Sequence, residues 1–132
     1  MTFVDYALID EVNYRINKRI KYKRETGDNW QKPSETERLG TGDCEDFAIM
    51  KAQELVRAGV DPEILSIAVC RTRKSTSLHA VLLVPSRYRK GFFRRTWVDC
   101  FYVMDNMSDN LYRFDQTGYT IVRKTKVTKW LT

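Results

Sequence analysis

The sequence is poor in the residues that build metal fingers and disulfide frameworks. It holds one histidine and three cysteines, Cys44, Cys70 and Cys100. None of them forms a close Cys-x-x-Cys or His-x-x-x-His pair, which excludes a zinc finger. Three cysteines cannot all pair with one another. Cys70 and Cys100 stand inside apolar, strand-like runs, so thiols in a core are expected rather than a disulfide frame. No uninterrupted apolar run approaches the length of a membrane span. The start, Met1-Thr2-Phe3-Val4-Asp5-Tyr6, lacks a basic segment followed by an apolar one, so no signal peptide is expected. Internal repeats, low-complexity linkers and the aromatic signature of an RNA-binding sheet are also missing. One domain over residues 1–132 is the expectation.

What is present is globular. Hydrophobic residues make up 42% of the chain and aromatics 12%, enough to bury a core without staples. The formal charge of +6 is spread over short clusters such as Lys21-Tyr22-Lys23-Arg24, Arg87-Tyr88-Arg89-Lys90 and Arg94-Arg95. That balance admits an acidic partner, nucleic acid among them, but it fits a solvated basic exterior better.

Phe3 to Arg24 reads as an amphipathic helix, with Val4, Leu8, Val12, Ile16 and Ile20 recurring every fourth residue and joined by Phe3 and Ala7. Thr26-Gly27-Asp28-Asn29 breaks it. Trp30 to Leu39, with Pro33, reads as an irregular polar segment. A second helix runs from Cys44 through Val56, capped by Thr41 or Asp43 and stopped at Gly59. Strand-like runs follow at Ile64–Cys70, Leu78–Val84 and Thr96–Met104. A basic loop from Pro85 to Arg95 separates the last two. Leu111–Phe114 and Tyr119–Val122 read as a shorter strand pair split by Gly118. Helices first and strands afterwards predict an α+β fold with N-terminal helices packed on an antiparallel sheet.

Within this frame Cys44 falls on the first turn of a helix, where outward-pointing amides and the helix dipole favour a thiolate. His79 opens an apolar strand, a costly place for an imidazole without a partner. Asp105 closes the next long strand. If those strands form a hairpin, His79 and Asp105 become neighbours, and the cysteine helix can aim Cys44 at them. The result is a nucleophile, a base and an orienting carboxylate, with the Cys44 amide as an oxyanion donor. A buried thiol and a satisfied structural histidine are the plainer readings of the same residues.

Gly40-Thr41-Gly42-Asp43-Cys44-Glu45-Asp46-Phe47-Ala48, with His79-Ala80-Val81-Leu82 and Val103-Met104-Asp105-Asn106, resembles the bacterial transglutaminase-like cysteine proteinases, the LapG-type peptidases. Val12-Asn13, Asn29-Trp30, Pro33, Glu35, Gly59-Val60 and Trp130 extend the resemblance over nearly the whole chain. It implies a papain-like, transglutaminase-type fold, hydrolysis of a peptide bond in a protein substrate, and a triad of Cys44, His79 and Asp105. Trp30 would wall the substrate groove. The connection from Pro85 to Tyr102 is longer and more basic than is usual in the family, which keeps Asp99 in play as an alternative to Asp105.

Asp43, Glu45 and Asp46 crowd negative charge around a sulfur that must ionise. A bound cation with oxygen ligands, calcium first, would offset it, and the resemblance implies the same with Asp43 and Asp46 as ligands. The alternative is that these carboxylates simply favour the helix N-terminus. No organic cofactor is expected. Competing functions on the same fold are acyl transfer to an amine and a non-enzymatic role in an assembly such as a phage particle. The matching locations are the cytoplasm or that particle.

Overall fold

The computed structural model describes residues 3–24, 30–73 and 76–131. The expected break at Thr26-Gly27-Asp28-Asn29 lies outside the described residues. Three helices come first: α1 (Tyr6–Arg19), α2 (Pro33–Leu39) and α3 (Cys44–Arg57). Two short strands between them, β1 (Lys21–Tyr22) and β2 (Thr41–Gly42), pair in parallel. The main sheet holds β3 (Ser66–Arg71), β4 (Leu78–Lys90), β5 (Thr96–Asp105), β6 (Ser108–Arg113) and β7 (Thr120–Lys126), in the order β6-β5-β4-β3-β7 and antiparallel throughout. A one-turn helix, α4 (Phe114–Thr117), precedes β7. This is the α+β arrangement predicted.

Several boundaries differ from expectation. The first helix begins at Tyr6 and ends at Arg19, and Ile9 is buried where Ala7 is exposed. The polar segment after Trp30 contains a helix. Pro33 occupies its first turn, where no amide hydrogen bond is required, and Gly40 ends it at φ 70° in the left-handed region. The basic loop is mostly strand, because β4 continues to Lys90 and pairs with β5 to its tip. Pro85 is tolerated there because β3 stops opposite Leu83, leaving that edge of β4 without a sheet neighbour. The two C-terminal strands do not pair with each other: β6 lies on β5, while β7 crosses to the far edge beside β3.

Alternation along β4 divides the core. Ala80, Leu82 and Val84 face a cluster with Ile9, Val12 and Ile16 of α1 and Ile49, Met50 and Leu55 of α3. Val81 and Leu83 face a smaller cluster with Ala68, Cys70 and Val103, flanked by Phe114 and Tyr119. α3 is buried along most of its length, Lys51 and Glu54 included. No helix among the described residues is long and apolar enough to cross a membrane.

Candidate active site

Asp43 caps α3, with a capping box to Asp46. Oδ2 of Asp46 accepts the Asp43 amide at 3.0 Å, while Gln31 donates its backbone N–H to Oδ1 and its side-chain amide to Oδ2, each at 2.8 Å. Gln31 thereby ties the segment ahead of α2 to the start of α3, and Asp46 is fully buried. Cys44 follows as the first helical residue, half-buried. The backbone amide of Ala80, one residue past His79, donates to its Sγ at 3.4 Å. The helix N-terminus and the start of β4 are in direct contact through the sulfur.

His79 and Asp105 meet as predicted. Nε2 of the imidazole lies 2.7 Å from Oδ1 of Asp105, both side chains being about nine-tenths buried. The Met107 amide donates to the same oxygen at 3.0 Å, and the Tyr119 hydroxyl donates to Oδ2 at 2.7 Å. Burial works to raise the Asp105 pKa, but the hydrogen bond and charge of His79, with the Met107 and Tyr119 donors, outweigh it and hold the carboxyl below its usual range. Asp99 is instead exposed on the hairpin and paired with Arg87 at 3.1 Å, so Asp105 is the carboxylate beside the imidazole.

Two expectations about Cys44 are corrected. Its thiol is not depressed by the helix terminus: burial pushes it up to about 12, the Ala80 amide opposes this, and the charges of Glu45 and Asp43 add to it. The Cys44 amide is not free to receive an oxyanion here, since it donates to Oδ1 of Asp43 at 2.8 Å. The thiol itself points to Oε2 of Glu45 at 3.2 Å. Asp43, Cys44 and Glu45 bring their ligand atoms within 4.8 Å of one another, the one such group found among the described residues. Trp30 stacks on Trp130, ring centroids 4.5 Å apart, against the edge of the larger core cluster.

Over residues 2–131 the chain matches the bacterial transglutaminase-like cysteine proteinases. It belongs to that family. Among solved structures it is similar to LapG of Legionella pneumophila, at 23% identity and a TM-score of 0.75 over 91% of this chain and 64% of that one. The EGTA-treated form of LapG gives the same identity and TM-score, covering 91% and 62%. Calcium-bound LapG gives 24% and 0.73, covering 91% and 64%. The chain thus spans less than two thirds of LapG's length. These likenesses show a shared fold, the transglutaminase-like one. No curated protein matches the chain.

For this family member, sequence reasoning missed Tyr119 as a partner of Asp105 and Gln31 as the partner of Asp46, and it read Glu45 as charge near the sulfur without the hydrogen bond between them. Glu45 adjoins Cys44 and its reach to the sulfur could have been read from the helix start. Tyr119 carries no local signal, because it comes from the far edge of the sheet.

Proposed function

We propose that the protein is a cysteine endopeptidase, with Cys44 as nucleophile, His79 as base and then acid, and Asp105 as the carboxylate that orients the ring. The observation that supports this reading is the contact of Sγ with the amide of Ala80, the residue after the His79 whose imidazole pairs with Asp105. With Nε2 committed to Asp105, Nδ1 is the nitrogen left for the thiol proton. For that transfer the thiol must leave Glu45, to which it now points. The thiolate adds to the substrate carbonyl carbon, the C–N bond breaks, and the imidazolium returns the proton to the leaving amine. Water, deprotonated by His79, then cleaves the thioester and frees Cys44. The developing oxyanion requires an N–H donor, and the Cys44 amide serves once it parts from Asp43. Trp30, next to the Gln31 that holds Asp46 of α3, would wall the substrate groove.

Calcium, present in one of the LapG structures, fits the donors here. Asp43 and Asp46 would hold it, with Glu45 close by. Each carboxylate oxygen has about two lone pairs, so Oδ1 of Asp46, whose one donor among the described residues is Gln31 N, has one left for a cation. The ion would supply positive charge against the carboxylates that now raise the thiol pKa.

Incubating the wild type and Cys44→Ala with proteins encoded by neighbouring genes, with calcium or with EGTA, tests the assignment. A discrete cut made only by the wild type, and lost in EGTA, is the expected result. A cut that survives in Cys44→Ala, or no cut in any partner with calcium supplied, would overturn it. A product joined to an added amine would favour the second reading, acyl transfer by the same thioester. The comparisons lend no support to a place in a phage particle.

A further inference from the structure

The far end of the β4–β5 hairpin is a projecting arm that the chemistry above does not use. β3 covers β4 only as far as Leu83, and β6 covers β5 only as far as Tyr102. Beyond them the pairs from Pro85–Phe101 to Lys90–Thr96 continue as a two-stranded ribbon. Its root is fixed by Val4, which donates its amide to Pro85 and accepts from the Ser86 hydroxyl. Gly91, at φ 116°, makes the tip, where a Cβ would lie 2.4 Å from the Arg94 carbonyl. Next to it Phe92 and Phe93 are 87% and 92% exposed, packed edge-to-face on each other with centroids 4.8 Å apart. Two such rings in water at the end of an extended ribbon are costly unless something covers them.

The charge around the tip says what covers them. From Ser86 to Val98 the chain carries Arg87, Arg89, Lys90, Arg94 and Arg95 and no acidic residue. Arg87 is paired with Asp99, and Arg89 lies over the exposed ring of Trp97. An apolar wedge ringed by cations, with a tryptophan behind it, suits a layer that is negative outside and hydrocarbon within. A single-stranded nucleic acid would need flat faces on which bases stack, and Phe92 and Phe93 present each other's edges from a convex tip. We propose that this arm docks on an anionic phospholipid bilayer, with Phe92 and Phe93 entering the headgroup boundary and Lys90, Arg94 and Arg95 meeting the phosphates. His79 lies at the other end of β4, roughly 35 Å along the strand at about 3.3 Å per residue, so the candidate active site is held clear of the membrane.

The test is co-sedimentation of the full chain with vesicles of phosphatidylcholine alone and of phosphatidylcholine with 30 mol% phosphatidylglycerol (about one lipid in three, enough for a strong surface potential). Binding to the anionic vesicles should exceed binding to the neutral ones at least tenfold and weaken as salt rises. Phe92→Ser/Phe93→Ser, on fully exposed positions, should cut binding about tenfold or more while far-ultraviolet circular dichroism stays unchanged. Arg94→Glu/Arg95→Glu should cut it more steeply, since each cation contributes roughly fivefold at such a surface. Equal binding to both vesicles, no binding to either, or binding indifferent to the phenylalanine pair would each overturn the proposal. Retention on a single-stranded oligonucleotide that depends on Phe92 and Phe93, without vesicle binding, would overturn it in favour of a nucleic-acid surface.

Discussion

The hydroxyl of Tyr119 donates to Asp105 at 2.7 Å, and its ring stands nearly perpendicular to the His79 imidazole with centroids 6.1 Å apart. A tyrosine from just ahead of β7 therefore completes the shell around a carboxylate at the end of β5. Tyr119→Phe keeps the ring and removes the donor. A hydrogen bond to a charged group is worth about 1.5–3 kcal/mol, so stability at pH 7 should fall by about that amount. The proposed peptidase rate should fall about tenfold through looser orientation of the imidazole. The Asp105 pKa is held down in the folded protein, so its stabilisation is present above the usual carboxylate range and is lost as pH falls through the folded value. Without the Tyr119 donor the folded value moves back toward the unfolded one, so the loss should be smaller and should end at higher pH. Thermal melts from pH 3 to 7 on both proteins check the sign, and superimposable acid limbs would refute it.

Glu45 bears directly on the sulfur. Its carboxylate accepts the thiol hydrogen and adds negative charge to a site that burial has already made hostile to a thiolate. Glu45→Gln preserves an acceptor and removes the charge, so the Cys44 pKa should drop by about one unit. Alkylation by iodoacetamide in calcium-free buffer at pH 8 should then speed up about tenfold at Cys44 and stay unchanged at the buried Cys70. An unchanged Cys44 rate would mean that burial alone sets its reactivity.

Local chemistry made α3 legible: Asp43, the periodic apolar residues and Gly59 all lie within one stretch, and each acts on its own neighbours. The meeting of His79 with Asp105 was also legible, because it needs only two consecutive strands in a hairpin. What escaped depends on distant contacts. Proline in a polar stretch reads equally as a loop or as a helix start, and only packing of α2 decides. The crossing of β7 to the β3 edge, and with it the place of Tyr119, is set by which sheet edge is open rather than by anything in residues 118–126. The thiol pKa was legible in part, since the carboxylates crowding the sulfur were read in the sequence and burial, the larger cause, was not. The helix dipole argument is local and correct in sign, but burial and two neighbouring carboxylates outweigh it.

Gly42 is a further constraint on the cysteine turn. A Cβ there would sit 2.7 Å from Cβ of Asp46 and 3.2 Å from its Oδ2. Asp46 cannot retreat without giving up the Gln31 and Asp43 amides that hold it. Gly42→Ala should therefore cost about 1–3 kcal/mol, the range for overpacking a tight site, and lower Tm by several degrees. Gly59→Ala is a useful contrast: nothing lies within 4 Å of its Cβ, so its cost comes from a φ of 103° rather than from a clash. If Gly42→Ala melts with the wild type, the close approach is not a constraint.

Lys51 is the one fully buried lysine of α3. Its Nζ donates to Oδ1 of Asn13 at 2.8 Å, and Asn13 in turn donates to the Ser108 carbonyl at 3.0 Å, linking α3 to α1 and to the turn after Asp105. Burial lowers the amine to about 7, although the charges of Asp105 and Asp109 pull the other way. The sign follows from proton counts. Between the folded value near 7 and the unfolded value near 10.5 the unfolded chain binds the extra proton, so the protein gains stability as pH rises through that window. The slope contributed by one such group reaches about 1.4 kcal/mol per pH unit. Lys51→Met fills the same space without an ionisable group. It leaves Asn13 short of one donor at every pH, which shifts the whole curve but not its slope. Urea unfolding at pH 7, 8 and 9 should show the wild type gaining on the variant at each step. Parallel curves would mean that Lys51 stays charged inside the fold.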